Sequence, residues 1–400
     1  MTEQALSPYR VLDLTHYIAG PYCTWVMAAL GAEVIKVERP GGGDGARRIG
    51  PFFHDEPHPE KGALFLSINS GKKSITLDLK TETGKRVVRE LVKDADCLVE
   101  SFRPGVMAGL GLSHEELREI NPGLVMTSIS SFGQTGPYRD FKATELIIEA
   151  IGGLAYSLGD YEREPIKFGL TQSQYDAGKA AALSTVMALF CRPQGGQGQY
   201  IDVPVVESAT FPIESLQMGM YLYLGGVNRR SPKFGGAVTM DKYLMAKDGW
   251  TLPIFYGYVD WYEFARLMES EELANPEYET MEGRLFKSAE VEELMAQAIK
   301  KWNKREMYQK AMDWRFAWAV VQTPDEVVNC PHLADRGFFA EVDHPEVGPL
   351  RYPGLPFKLS ETPWRLGPAP LLGEHNAEIY GGRLGYTSDD LVRLRERGII

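Results

Sequence analysis

The stretch that decides the fold runs from Arg10 to Glu38 and reads RVLDLTHYIAGPYCTWVMAALGAEVIKVE. Arg10 to Thr15 is a short β-rich run. Ala19-Gly20-Pro21 follows it, then a helical stretch through Trp25, Met27 and Leu30. Gly31-Ala32 closes that helix, and Glu33 to Glu38 is a second strand. A strand, a helix and a strand within about thirty residues form a crossover unit, which joins parallel neighbours in a sheet.

The same rhythm continues downstream. Ser74 to Leu79 reads as a strand, Thr83 to Lys93 as an amphipathic helix and Asp96 to Glu100 as a strand. Leu112 to Ile120 reads as a helix and Leu124 to Ser130 as a strand. Strand–helix alternation sustained over about 130 residues implies an α/β fold with a mainly parallel sheet and helices on both faces. The rhythm is Rossmann-like, but the turn after the first strand lacks the GxGxxG pattern that cradles a dinucleotide pyrophosphate, so NAD and FAD are not expected. In such sheets ligands sit at the carboxyl ends of strands. Arg39 follows one strand, Arg103 follows another, and Lys72 and Lys73 lie in an intervening turn. Arginine grips phosphate in bidentate fashion, so four cations in an acidic protein point to a phosphorylated ligand. Each one taken singly also reads as a solvated surface charge.

The chain has 400 residues, too many for one simple core, so two domains are expected. With 44% apolar and 24% charged residues it has the composition of a globular protein. No run approaches the roughly 18 apolar residues that span a membrane. The start, MTEQALSPYR, lacks a basic segment followed by an apolar one, so a cytoplasmic location without a secretory signal is the expectation. A net charge of −11 argues against a general nucleic-acid binder. Cys23, Cys97, Cys191 and Cys330 are scattered and read as buried, reduced thiols, neither a zinc site nor a disulfide framework. His54 and His58 are four apart, but Pro57 and Pro59 argue against a helix to hold them, and no metal is expected.

A second informative stretch is Pro165 to Gln199, PIKFGLTQSQYDAGKAAALSTVMALFCRPQGGQGQ. Ile166 to Thr171 looks extended. From about Tyr175 the residues are small and apolar nearly all round, which predicts a buried helix ending at Arg192-Pro193. Gln172, Ser173, Gln174 and Asp176 therefore arrive at a helix start, where backbone amides favour negative charge. The alternative is plain capping of those amides. Further on, 203–224 is apolar and aromatic, with Phe211, Met218, Met220, Tyr221 and Tyr223, and reads as a helix buried in a dimer or between domains. Gly225 to Gly236, carrying Arg229, Arg230 and Lys233, reads as a linker. Met240 to Pro253 suggests strands around a Lys247-Asp248-Gly249 hairpin turn. Trp261 to Met268, Ala289 to Lys301, Lys304 to Trp314 and Ser388 to Arg397 read as helices.

Several segments resemble one family. Val11-Leu-Asp-Leu-Thr15, Ala19-Gly20-Pro21, Gly31 to Pro40 (GAEVIKVERP) and Gly43-Asp44 are similar to the opening of the class III CoA-transferases. Those include formyl-CoA transferase, the carnitine CoA-transferase and α-methylacyl-CoA racemase. The resemblance continues through Glu100 to Gly105, Ser131 to Pro137 and Gly195 to Gln199. It returns at His344 to Pro349, Leu359 to Trp364 and Leu372 to Asn376. It implies a large Rossmann-like domain built from both chain ends, 1–225 and 326–400, a smaller α+β domain over 226–325, and two chains interlocked as a dimer. It implies coenzyme A or an acyl-CoA as substrate, with no permanently bound cofactor. By position Arg39, Lys72, Arg103 and Lys142 match family residues near CoA, with Lys73 adjacent, and His16 matches one near the thioester. Ile254 to Tyr258 falls near the family's glycine-rich flap but lacks a glycine run.

The resemblance also implies an aspartate that attacks the acyl-CoA, forming a mixed anhydride and then an aspartyl-CoA thioester. A carboxylate serves because it is both nucleophile and competent leaving group. It is placed nine residues after the proline and four before the helix glycine; from Pro165 and from Gly178 both counts reach Gln174. A neutral amide cannot form the anhydride. Racemisation, which needs two bases, fares no better: Ala143-Thr144-Glu145 stands near the histidine position, and Gln174 stands for the aspartate. Three readings follow. The chain is the nucleophile-lacking subunit of a heteromer whose aspartate-bearing paralogue completes it, as in benzylsuccinate-type enzymes. Alternatively it is self-sufficient, as a homodimer, through Asp176 or Glu145. The third reading is a non-catalytic acyl-CoA-binding protein.

Overall fold

The computed structural model describes residues 4–159, 163–211, 219–225, 233–234, 237–238, 242–255 and 259–400. Six strands form one sheet: β1 (Arg10–Leu14), β2 (Glu33–Glu38), β3 (Lys73–Thr76), β4 (Cys97–Glu100), β5 (Val125–Ser130) and β6 (Tyr200–Pro204). Their order is β3-β2-β1-β4-β5-β6, and every pairing is parallel. The connecting helices include α1 (Ala19–Ala29), α2 (Glu82–Val92), α3 (His114–Ile120), α4 (Glu145–Ile151) and α5 (Gln172–Gly195). The α/β fold with a parallel sheet is as the sequence implies.

Alternation along the strands builds two cores. Leu12, Leu14, Ile35, Val37, Ile75 and Leu98 face Val87, Val88 and Leu91 of α2. Val11, Val34, Cys97, Val99 and Val125 face Cys23 and Met27 of α1 and Ala177 and Ala181 of α5. Burial on both faces is why these strands read as nearly continuous apolar runs. The end of the chain joins the first core through Ile379, Tyr380, Leu394 and Ile399, so the large unit is made from both ends. The Tyr380 hydroxyl donates to the Thr76 carbonyl at 2.7 Å. The Ile399 carbonyl accepts the Asp78 amide at 2.8 Å.

The chain divides into two compact units: Met1–Gly159, Glu164–Gly225 and Asp335–Ile400 in one, Asp160–Arg163 and Gly226–Ala334 in the other. The second has a three-stranded sheet in which Trp250–Pro253 pairs antiparallel with both Leu244–Met245 and Trp318–Val320. The hairpin expected at Lys247-Asp248-Gly249 is there, with the Ala246 amide donating to the Gly249 carbonyl at 2.9 Å. Its core is Trp261, Phe264, Met268, Val291, Met295, Ile299, Met307 and Trp318. The Trp318 indole donates to Thr251 Oγ1 at 2.6 Å.

Four expectations need correction. Strand β6 lies where the sequence shows only a glycine-rich turn running into an apolar stretch. Its five residues end in Pro204, and as an edge strand it carries no alternating apolar signature. The central helix begins at Gln172 and runs past Arg192 to Gly195, and it is not buried all round. Ala177, Ala181, Ala182 and Ala188 pack inward while Leu183 (64%), Met187 (58%) and Phe190 (72%) stand exposed on the single chain. Over 203–224 the described residues show two short helices, Val205–Thr210 and Gly219–Leu224, with Phe211, Tyr221 and Tyr223 exposed; Met218 lies outside the described residues. Cys23 and Cys97 are buried thiols, but Cys191 is exposed and Cys330 half-buried. Most of the expected linker after Gly225, and Tyr256 to Tyr258 of the expected flap, also lie outside the described residues.

Candidate active site

Beneath the carboxyl edge of the sheet lies a buried ionic network. Asp13 of β1 and Lys36 of β2 are register partners, both fully buried. Lys36 Nζ is 2.8 Å from Asp44 Oδ2 and donates to the Thr15 carbonyl at 2.9 Å. Lys72 Nζ is 3.0 Å from Asp13 Oδ2 and also donates to Thr24 Oγ1, Asn69 Oδ1 and the Pro21 carbonyl. Burial alone would raise the Asp13 carboxyl. Lys36 and Lys72, with the Thr15 and Thr24 hydroxyls, more than reverse this and hold it far below the usual carboxylate range. Lys72 itself is pushed down by burial, against the pull of Asp13, to about 8. A second pair lies nearby: Arg47 grips Glu38 through Nε and Nη2 at 2.7 and 2.8 Å and stacks on the Phe65 ring.

The network shapes the turn after β1. Asp44 Oδ1 accepts the Tyr17 amide at 3.0 Å and the Ala46 amide at 2.9 Å, and the His16 ring lies 3.6 Å away. Tyr17 is held at φ 68°. The His16 amide donates to Ser101 Oγ at 3.0 Å, which ties this turn to the one after β4. At Gly20 a Cβ would come within 2.3 Å of the Thr15 side chain, so only glycine lets α1 begin this close to the strand end.

Above the network opens a cleft of about 1300 Å³. Its walls come from the end of each sheet strand: His16 and Tyr17, Arg39 and Pro40, Asp78 to Lys80, Ser101 to Pro104, Ile129 to Ser131, and Val205. The loop from Arg139 to Phe141, then Ala143 to Glu145, and Thr171 and Gln174 at the head of α5 complete it. It exceeds the roughly 300–1,000 Å³ of most small-molecule sites, so it suits a long ligand. Among the described residues no carboxylate pairs with Arg39, Lys80 or Arg103, while Arg139 lies 3.3 Å from Asp140. Unpaired cations around a cleft present a field for an anion.

The structure gathers His16, Arg39, Arg103, Glu145 and Gln174 on this one cleft. Lys72 and Lys73 lie elsewhere, because they stand at the amino end of β3, the opposite end from the cleft. The Lys72 charge is taken up inside the network, and Lys73 pairs with Glu33 and Glu378 at 2.8 and 2.6 Å. Lys142 is exposed and outside the wall, although Phe141 and Ala143 beside it belong to it. Asp176 is also off the wall, paired with Lys179 at 2.9 Å. Lys80 and Arg139 were not foreseen. Lys80 was findable: it follows β3 on the carboxyl side, where the strand-end rule looks.

At the head of α5 the backbone N–H of Gln174 donates to the Thr171 carbonyl at 3.2 Å. Glu145 Oε1 accepts the Ser173 amide at 2.7 Å, and Glu145 Oε2 has no hydrogen-bond partner. Burial, with Glu149 nearby, raises the Glu145 carboxyl above its ordinary value despite Ser173. The cleft wall thus carries one neutral amide and one carboxyl side by side at a helix start.

A parallel sheet in this order, with a phosphate-friendly cleft at its carboxyl edge, defines an α/β protein for a large anionic ligand. The comparisons give the family: the profile described as CoA-transferase family III matches residues 6–376, and the chain belongs to that family. It is a class III CoA-transferase, moving CoA between an acyl-CoA and an acid. It is 34% identical to a succinyl-CoA–D-citramalate CoA-transferase of Chloroflexus aurantiacus, covering 99% of this chain and 98% of that one. It is 32% identical to the succinyl-CoA:(R)-benzylsuccinate CoA-transferase subunit BbsE of Thauera aromatica, covering 98% of both chains. A solved structure of a CAIB/BAIF family protein from Brucella suis superposes with a TM-score of 0.85 at 28% identity, over 95% of this chain and 99% of that one. Among the described residues no helix is long and apolar enough to cross a membrane, and no three His, Cys, Asp or Glu side chains gather to hold a metal.

Proposed function

We propose that this chain is the nucleophile-lacking subunit of a heteromeric class III CoA-transferase. The observation that carries the reading is Gln174, a side chain that cannot be acylated, on the wall of a cleft lined by unpaired cations. In this reading Arg39, Lys80 and Arg103 hold the CoA phosphates and His16 lies toward the thioester. Lys72 keeps the β1 turn in place from inside the network. The aspartate comes from a paralogous partner chain, consistent with the word subunit in the name of the relative BbsE. Leu183, Met187 and Phe190, spaced four and three apart on α5, offer that partner an apolar stripe. Sustained exposure of such a stripe is costly in water, so a covering chain is expected.

A second reading is favoured by one observation. Glu145 shares the cleft wall with Gln174, and its Oε2 is unpartnered. Its carboxylate oxygen could attack the thioester carbonyl, expelling the CoA thiolate and leaving a mixed anhydride on Glu145. The thiolate would then return to give a glutamyl-CoA thioester and free acid. Asp176 has no comparable support.

The test is CoA transfer by the purified chain with succinyl-CoA and a panel of acids, with mass spectrometry to locate any covalent adduct. No turnover alone, and activity on adding an aspartate-bearing paralogue, is the expected result. An adduct on Glu145 with turnover by the single chain would overturn the subunit reading in favour of the second.

A further inference from the structure

A second, smaller cavity of about 200 Å³ lies beside the cleft, lined by Glu100, Arg103, Met107, His114, Ser128, Gln134 and Tyr200 among others. Arg103 belongs to both walls. Two polar atoms among its lining residues have no hydrogen-bond partner, His114 Nε2 and Gln134 Nε2, while the Ser128 hydroxyl lies against Glu100. Glu100, 3% exposed at the end of β4, uses Oε2 to accept the Phe102 amide at 2.7 Å, inside the turn that carries Arg103. The cavity offers a guanidinium three acceptors, the Glu100 carboxylate, the Ser128 oxygen and the His114 ring, whose pKa burial lowers, beside the Gln134 amide as a donor.

We propose that Glu100 is a positioning residue that competes with the CoA anion for Arg103. The guanidinium swings between the cleft, where it holds a phosphate, and the side cavity, where ionised Glu100, Ser128 and His114 receive it. At roughly 30 Å³ per water, the cavity has room for about six waters, enough for a guanidinium. Among the described residues Arg103 is tied by no ion pair, so the swing breaks none.

Burial pushes the Glu100 carboxyl up to about 7, against the Ser128 hydroxyl and the Phe102 amide, with Asp202 adding to the rise. The groups facing it are known. Tyr200 and Asp202 come from β6, His114 and Glu115 from α3, Ser128 from β5, and Arg103 from its own turn; β1 presents only Leu14 in register. Protonated Glu100 releases Arg103 to the cleft. Ionised Glu100 draws it away and repels the ligand. By linkage, CoA binding near neutrality is accompanied by proton uptake.

This rests on the reading that Arg103 contacts CoA. The test is isothermal titration of the full chain with CoA from about pH 6 to about pH 8.5, in buffers of different ionisation enthalpy, for wild type, E100Q and R103Q. The expected wild-type result is binding about tenfold weaker at the higher pH, a change equal to 1.36 kcal/mol, with proton uptake near pH 7. E100Q should bind tightly throughout and lose the uptake. It should keep only the opposite, strengthening trend from ionisation of the CoA phosphate, whose second pKa is about 6. In R103Q, adding E100Q should change nothing further. A wild-type profile retained in E100Q, or an equal effect of E100Q with and without Arg103, overturns the inference. Absence of CoA binding in every protein instead overturns the CoA reading itself, and this inference with it.

Discussion

The Lys72 ammonium lies 3.0 Å from the Asp13 carboxylate, and both side chains are out of reach of solvent. That placement makes Lys72 a structural cation. Breaking a buried pair by removing one partner costs about 3–5 kcal/mol, because the other charge is left uncompensated. K72M is therefore expected to lower the melting temperature by many degrees, and D13N/K72M to recover part of the loss. CoA affinity per folded molecule, measured below the melting transition, should change little. A variant that melts normally but binds CoA poorly would put Lys72 at the ligand. The acid limb has a definite sign. Asp13 is held low, so its stabilisation is present above about pH 4 and is lost as the pH falls below that.

That buried lysine also marks where the sequence stops being legible. The parallel sheet could be read because strands buried on both faces write themselves as apolar runs, and Glu33 to Glu38 appears with the bounds expected. Arg39 and Arg103 could be read because strand ends are local. Lys72 could not, since its partner Asp13 is 59 residues away and nothing local distinguishes a buried cation from a solvated one. The signal was subtler: Asp13 and Lys36 interrupt two adjacent apolar strands at the same register. The exposed stripe on α5 was hidden for a similar reason. Leu183, Met187 and Phe190 look like core until the alanines on the other face are seen to fill it.

Gly178 sits where α5 crosses the start of α1. A Cβ there would come within 2.7 Å of the Ala19 carbonyl oxygen and 3.0 Å of the Tyr22 ring. The helix cannot shift without moving Gln174 four residues earlier on the same element. G178V is expected to destabilise by about 1–3 kcal/mol, the usual cost of overpacking. It should weaken CoA binding at temperatures where the chain remains folded. Thermal melts paired with CoA titration check both, and an undisturbed melt would show that the two helices are not in close contact.

Glu100 predicts a pH dependence of stability that does not involve ligand. Its folded pKa, about 7, is above the ordinary value of 4.5. Its stability contribution is therefore full below about pH 4.5, declines as the pH rises through about 7, and is flat beyond, the total being roughly 3 kcal/mol. The isosteric amide in E100Q carries no charge to desolvate. E100Q and wild type should melt alike near pH 4, and E100Q should melt higher near pH 8. Parallel curves at both pH values would show that the carboxyl is not strained by burial.

The substitution that speaks most directly to catalysis is Q174D. The position lies on the cleft wall at the head of α5, where free backbone amides stabilise a carboxylate. If the cleft still binds an acyl-CoA and lacks only its nucleophile, an aspartate there should become acylated. Its carboxylate oxygen attacks the thioester carbonyl and the C–S bond breaks. The CoA thiolate then attacks the aspartyl carbonyl, releasing the free acid and leaving an aspartyl-CoA thioester. Incubating Q174D with succinyl-CoA and digesting it should yield a peptide bearing CoA at position 174, absent from wild type. Trapping with hydroxylamine should remove it. General acid–base and nucleophilic groups acting as a unit are strongly non-additive, so full turnover is not required of one substitution; covalent capture is. Failure of Q174D to capture CoA, with the ligand bound, would mean that Gln174 does not face the thioester, and the nucleophile would have to be sought at Glu145.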